Sequence, residues 1–339
     1  MHNLSQKKVL NYKALALFSG GLDSILAVLF IRAQGIQVEG VYFESPFFPR
    51  NQAVKSAEQI NLPLKIVDIT HDILALVRHP RFGYGQGLNP CLDCHLLMCN
   101  KACEIMHQEG YNFIISGEVL GQRPLSQTKQ AMLKINKECL CSDYIVRPLS
   151  GKLLPPTIPE QKGIVQRESL LDIKGRSRKK QMQLATQLGL KTYPSPAGGC
   201  LLTDQTIAAR VRDLLTHQKD ILPRDLELLK LGRHFRLNPA TKAIVGRDRE
   251  ENKKIEALGR YEDALLETID YPSPLVLIPF GGDLDGQKWA AMLTASYSDA
   301  PLDKSVSIRM RWRGKRQILF TSVCSKEKLH KYLIQKWGK

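Results

Sequence analysis

The segment Ala14-Leu-Ala-Leu-Phe-Ser-Gly-Gly-Leu-Asp-Ser24 runs from an apolar stretch into two glycines and then into a helical pattern. Such a junction suits an anion: glycines let the backbone turn sharply and approach a phosphate, and free N–H groups at a helix N-terminus point toward it. Ser19 and Ser24 add hydroxyl donors, and Gly20, Gly21 and Asp23 complete the turn. The segment is neither GxxxxGK followed by Ser or Thr nor GxGxxG, which counts against kinase-type transfer and simple dinucleotide binding. A tight strand-to-helix turn capped by Asp23 or Ser24 is the ligand-free alternative.

Cysteine is the second chemically loaded feature. Asn89-Pro90-Cys91-Leu-Asp-Cys94 sets two thiols in a CxxC turn that opens a helical stretch, and Ser195-Pro-Ala-Gly-Gly-Cys200 carries another on a glycine-rich loop. One CxxC pair cannot by itself complete a tetrahedral zinc site or hold a cluster, so Cys200 is the candidate third ligand. Cys99 and Cys103 stand at i, i+4 and read as core on one helix face. Cys139, Cys141 and Cys324 fit no ligand spacing and read as structural, and His95 reads as solvent-facing. No run of about 18 apolar residues and no signal-peptide pattern appear, so a cytoplasmic protein without membrane attachment is expected. The eight cysteines are then expected as reduced thiols rather than a disulfide framework.

Three regions must position these residues. Strands are expected at 14–18, 37–43, 65–68, 113–116 and 144–146, alternating with helices such as 24–33 and 53–60, the rhythm of a doubly wound parallel α/β sheet. Ligands of such sheets lie beyond the carboxyl ends of the strands, where Ser116-Gly117-Glu118 also falls. The Pro-rich stretch 153–159 marks a boundary, giving a nucleotide-binding domain over 1–155 and a helical linking subdomain over 156–224 that carries Cys200. Residues 225–339 are expected as a smaller basic α+β domain, with a helix at 250–266.

The net charge of +16, with 43% hydrophobic and 24% charged residues, describes a globular chain whose self-repulsion a polyanion would screen. Disorder, collagen and small disulfide scaffolds are excluded. Lys174, Arg176, Arg178, Lys179 and Lys180 crowd into seven positions and read as a phosphate contact, a solvated helix face being the bland alternative. In Ile308-Arg-Met-Arg-Trp-Arg313, alternation turns Ile308, Met310 and Trp312 inward and lines up Arg309, Arg311 and Arg313 on the other face. Gly314 then leads to a second strand near 317–323.

Ser-Gly-Gly-Leu-Asp-Ser at 19–24 resembles the SGGxDS signature of the PP-loop ATP pyrophosphatases. The resemblance implies a PP-loop/HUP-like fold in which Ser19, Gly20, Gly21, Asp23 and Ser24 cradle the pyrophosphate end of ATP and Asp23 faces Mg²⁺. It implies an adenosine pocket bordered by the second strand, near Tyr42 and Phe43, and approached by Gly117. NPCxxC followed by a distant loop cysteine resembles the tRNA-thiolating branch, over most of residues 10–215. That implies adenylation of a uridine carbonyl oxygen followed by sulfur transfer, through a 4Fe-4S cluster on Cys91, Cys94 and Cys200 or through a persulfide. Sulfide or a persulfide carrier would be the donor and tRNA the partner, with zinc the alternative metal. Gly117-Glu118 replaces the usual glycine-histidine pair, leaving open which position is modified. The C-terminal region resembles an RNA-binding module of ribosome-associated quality-control proteins. The competing readings are a PP-loop ligase or amidase that needs no cysteines, and an RNA-binding protein with a vestigial ATP site.

Overall fold

Short apolar runs that can be buried on both faces favour a parallel sheet covered by its own crossover helices. In the structure, a computed structural model describing residues 11–48, 50–190, 192–194, 199–302 and 304–335, they form one. The chain divides into two units, Met1–Gly85 with Asn89–Cys200, and Gln86–Leu88 with Leu201–Lys339. The first unit contains β1 (Lys13–Leu17), α1 (Leu22–Arg32), β2 (Gln37–Glu44), α2 (Asn51–Gln59), β3 (Leu64–Asp68), α3 (Thr70–Arg78) and α4 (Cys91–Glu109). It continues with β4 (Phe113–Ser116), α5 (Lys129–Glu138), β5 (Ile145–Val146), α6 (Ile158–Gln161) and α7 (Lys179–Gln187).

The strands lie parallel in the order β3-β2-β1-β4-β5. Connections from β1 lead to one side and those into β4 to the other, so a crevice opens between their carboxyl ends, with Leu17 opposite both Val41 and Ser116. α1 is buried on two sides. Ile25, Val28 and Ile31 pack with Ala14, Ala16 and Phe113 of the sheet, while Leu22 and Leu26 pack with Leu149, Ile173 and Ala185 of α7. That double burial explains why its sequence is apolar nearly all round.

The second unit holds α8 (Gln205–His217), α9 (Pro223–Leu228), β6 (Arg233–Asn238), β7 (Thr241–Val245), α10 (Arg249–Leu258), β8 (Ala264–Thr268), β9 (Val276–Ile278), α11 (Leu284–Ser296), β10 (Ser305–Trp312) and β11 (Lys315–Ser322). Its strands form an antiparallel sheet in the order β11-β10-β8-β9-β7-β6. Ala290, Ala291 and Leu293 of α11 pack with Phe235, Leu266 and Ile308 in its core. The helix expected at 250–266 stops at Leu258. Gly259 follows, and the buried Asp263 carboxylate accepts the N–H groups of Arg260 and Phe280, closing a turn. Ala264, Leu266 and Thr268 then alternate inward as a strand.

Candidate nucleotide and thiol site

The turn after β1 is built around Gly20. Its φ of +74° is the left-handed region, and a Cβ there would lie 2.6 Å from Ala53 Cα of α2. Ser56 Oγ fixes the turn by donating to the Gly20 carbonyl at 2.9 Å. Gly21 differs, with φ of −75° and only Ser19 Oγ within reach of an added Cβ, at 3.5 Å. Ser24 is buried and donates to the Gly21 carbonyl at 2.8 Å, while Ser19 is exposed at the mouth of the turn. Across the crevice, a Cβ on Gly117 would lie 2.7 Å from both N and Cα of Ser24, so β4 ends directly against the first turn of α1.

Asp23 is aimed by a relay. Gln181 donates to Gln122 at 2.8 Å, and Gln122 donates to Asp23 Oδ2 at 2.5 Å. Asp23 Oδ1 is buried with no hydrogen-bond partner, an arrangement that a cation ligand would satisfy. The relay continues into the basic segment. The Gly175 N–H donates to the Leu120 carbonyl at 2.7 Å, and residues 174 and 120 form a bridge, which holds the segment beside the 117–123 loop. Arg176 and Lys179 are exposed and Arg178 is half-buried, whereas Lys180 pairs with Asp172 at 3.3 Å. Phe43 is buried, only 4% exposed, so little of its ring remains to face a base. Tyr42 is core as well, donating to the Phe48 carbonyl at 2.9 Å.

Cys91 and Cys94 occupy the first turn of α4, and Asn89 Nδ2 donates to Cys91 Sγ at 3.0 Å. Asp93 between them is buried and accepts the N–H groups of Arg81 and Phe82, which fastens the preceding loop to the helix start. Burial, and then the Cys200 and Cys91 thiols, push the Cys94 thiol well above its ordinary range, so the sequence-distant Cys200 lies close enough to act on Cys94. Among the described residues, the three cysteines whose sulfurs all lie within 4.8 Å of one another are a different set, Cys103, Cys139 and Cys141. Sulfurs around one tetrahedral zinc lie only about 3.8 Å apart, which follows from a Zn–S bond of about 2.3 Å. The sulfurs of a cluster each bind a different iron and stand further apart.

Two expectations are corrected here. Cys103 and Cys141 form a disulfide, their Cα atoms 5.9 Å apart, in place of an all-thiol complement. His95 does not face solvent freely: its Nδ1 lies 3.2 Å from Glu118 Oε1, and its side chain is 24% exposed. Glu118, one residue beyond Gly117, also accepts from Arg147 Nε at 2.8 Å. Burial alone would raise the Glu118 carboxyl; Arg147 and His95 outweigh it and hold the group well below the usual carboxylate range. This triad ties the end of β4 to the helix that carries Cys91 and Cys94. No local pattern signals it, since its members lie 23 and 29 positions apart.

In the second unit, Ile308 and Met310 are buried and Trp312 half-buried, with Arg309, Arg311 and Ser307 on the opposite face. Arg309 pairs with Glu267 at 3.2 Å and Arg311 with Glu256 at 2.6 Å, while Arg313 lies in the turn at φ +48° over the Trp312 ring. Exposed ion pairs of this kind are weak and give way to a phosphate. The register puts Arg316, Ile318 and Phe320 of β11 opposite Arg311, Arg309 and Ser307, so all six share one face. Ile318 and Phe320 are 57% and 75% exposed. Sequence reading passed over them, although their alternation within 315–322 was visible.

A parallel sheet of this order, with a serine-glycine turn at its switch point, is a doubly wound α/β fold of the PP-loop/HUP-like kind. Residues 10–153 match the family described as Thiamine biosynthesis protein (ThiI), and residues 232–333 match the NFACT protein RNA binding domain. Each match covers less than half of the chain, and the two lie in different regions of it. Probable tRNA sulfurtransferases of Staphylococcus aureus strains MRSA252 and Newman are each 32% identical over 148 residues, covering 40% of this chain and 34% of theirs. The chain thus spans about a third of the length of these curated relatives. A solved 4-thiouridine synthetase in complex with RNA and bound ATP is 21% identical, covering 53% of this chain and 52% of its own, with a TM-score of 0.32. The C-terminal part of the fibronectin/fibrinogen-binding protein of Streptococcus suis is 10% identical, covering 71% and 94%, with a TM-score of 0.28. Among the described residues, no helix is long and apolar enough to cross a membrane.

Proposed function

We propose that this protein is an ATP-dependent tRNA uridine thiolase acting in the cytoplasm. The observation that carries the reading is the crevice between β1 and β4. There a glycine turn, a helix N-terminus and the unpartnered Asp23 Oδ1 converge, and the CxxC helix is tied to the same strand end through Glu118.

Ser19, Gly20, Gly21 and Ser24 would hold the pyrophosphate end of ATP on the first turn of α1. Asp23 fits Mg²⁺ because one carboxylate oxygen is held by Gln122 while the other is buried and unsatisfied. The uridine carbonyl oxygen attacks the α-phosphorus and pyrophosphate leaves, which turns a poor electrophile into an adenylated one. Sulfide then attacks the base carbon and AMP leaves with the oxygen. From a persulfide, the terminal sulfur attacks, AMP leaves, and a second cysteine thiolate takes the inner sulfur as a disulfide, which breaks the S–S bond and leaves the thiocarbonyl on the base.

Cys91, Cys94 and Cys200 fit a 4Fe-4S cluster by their chemistry. All three are thiols, Cys94 senses the other two, and adjacent thiolates are stabilised by bound cationic metal. When bound, a cluster with three protein ligands would supply one iron open to sulfide. Glu118 and His95 keep α4 registered against the nucleotide turn. Arg176, Arg178 and Lys179 offer charge for tRNA phosphates on the same unit, and the β10–β11 face offers arginines and an aromatic ring on the other.

The test is single-turnover assay of anaerobically purified protein with tRNA and α-labelled ATP. Cys200→Ser is expected to keep AMP formation and lose thionucleoside, and each of the three serine variants to lose iron and acid-labile sulfide. Unchanged thionucleoside yield in Cys200→Ser, or no tRNA-dependent AMP from the wild type, would overturn the proposal.

A further inference from the structure

The disulfide Cys103–Cys141 is part of a larger gathering of sulfur that neither the nucleotide site nor the CxxC pair uses. Cys99 and Cys103 project from the same face of α4, one turn apart, and Cys139 and Cys141 follow the end of α5. All four are at most 9% exposed. The sulfurs of Cys103, Cys139 and Cys141 lie within 4.8 Å of one another, with Cys103 and Cys139 separated by 3.8 Å. Cys99, buried one turn before Cys103 on the same face of α4, lies against Cys139 without joining that group of three.

We propose that Cys99, Cys103, Cys139 and Cys141, when reduced, bind one zinc ion in a buried tetrathiolate site that fastens α4 to the end of α5. A disulfide uses two of these sulfurs and gives no reason for the other two to converge on it. A tetrahedral ion uses all four, and the 3.8 Å separation is the spacing its sulfurs require. The Cys141 backbone N–H points at Cys139 Sγ, and the buried Arg147 guanidinium, paired with Glu118, lies beside the group. Starting from the disulfide, two equivalents of a cellular thiol reductant supply two electrons and two protons and leave as their own disulfide. The four thiols then release four protons as Zn²⁺ binds. The site lies on the helix that begins with Cys91 and Cys94, so its role is to hold the base of that helix still.

The experiment uses the full chain purified with a thiol reductant. Elemental analysis is expected to give one zinc per chain, and zinc-edge X-ray absorption an all-sulfur shell at about 2.3 Å. Unfolding the wild type with chelator and without reductant should expose all eight cysteines as reactive thiols. Cys139→Ser should lose zinc at least tenfold, whereas Cys91→Ser and Cys200→Ser keep it even where thiolation is lost, which separates this proposal from the function above. Six reactive thiols with no zinc, iron in place of zinc at these four residues, or zinc lost in Cys91→Ser and retained in Cys139→Ser would overturn it. The wild-type thiol count and zinc stoichiometry decide the matter even if Cys139→Ser fails to fold.

Discussion

Replacing Glu118 by Gln should reveal how firmly the thiol helix is tied to the nucleotide turn. The Glu118 and Arg147 side chains are 9% and 5% exposed, so the substitution strips a buried guanidinium of its counter-charge while leaving an amide oxygen to accept one hydrogen bond. Breaking a buried pair on one side costs about 3–5 kcal/mol. A unit of about 200 residues unfolds with an entropy of about 0.4 kcal/mol per degree, which converts that cost into a Tm drop of about 7–12 °C at neutral pH. The pH dependence has a definite sign. The folded Glu118 carboxyl titrates well below its unfolded value of about 4.3, so its contribution is complete above that pH and is lost as pH falls toward the folded value. The gap between wild type and Glu118→Gln should therefore narrow below about pH 4. Circular dichroism melts from pH 3 to 7 measure it, and adding Arg147→Met should restore part of the loss by removing the stranded charge. A Tm within 2 °C of wild type at pH 7, or a gap that stays constant on acidification, would refute the reasoning.

Asp23→Asn should fold normally, because the amide oxygen can keep the bond from Gln122 while its nitrogen replaces the unpartnered oxygen; tRNA-dependent AMP formation should fall by about 10²–10³. Wild-type turnover in that variant would remove Asp23 from the site. The two glycines of the turn should separate cleanly. Gly20→Ala meets a strained backbone and the α2 main chain, and is expected to lower Tm and abolish ATP binding in a fluorescence titration, whereas Gly21→Ala should melt like wild type. Phe320→Ala should leave Tm unchanged because the ring is 75% exposed, yet weaken RNA binding by about 1–3 kcal/mol in a filter assay at fixed salt. An unaltered RNA affinity would exclude that face from the interface.

Local chemistry was legible in the sequence. An apolar strand feeding Ser19 to Ser24, the alternation of β10 and the βα rhythm all depend on residues close in the chain, and hydrophobic periodicity with turn preference encodes them directly. Strand ends fall within two residues of their expected places, whereas the helix expected at 250–266 is too long, because a carboxylate 17 positions from one of its partners closes the turn. Only the tertiary structure decided what meets across the sheet. Gly20 and Gly21 look alike in sequence, and it is the approach of α2 to one of them that makes its glycine necessary. Glu118, His95 and Arg147 come together because β4 and β5 end, and α4 begins, at one edge. The sulfurs of Cys103, Cys139 and Cys141 converge because α4 and the end of α5 pack together. Sequence spacing carries no information on such meetings, since burial and charge act through space while periodicity acts along the chain.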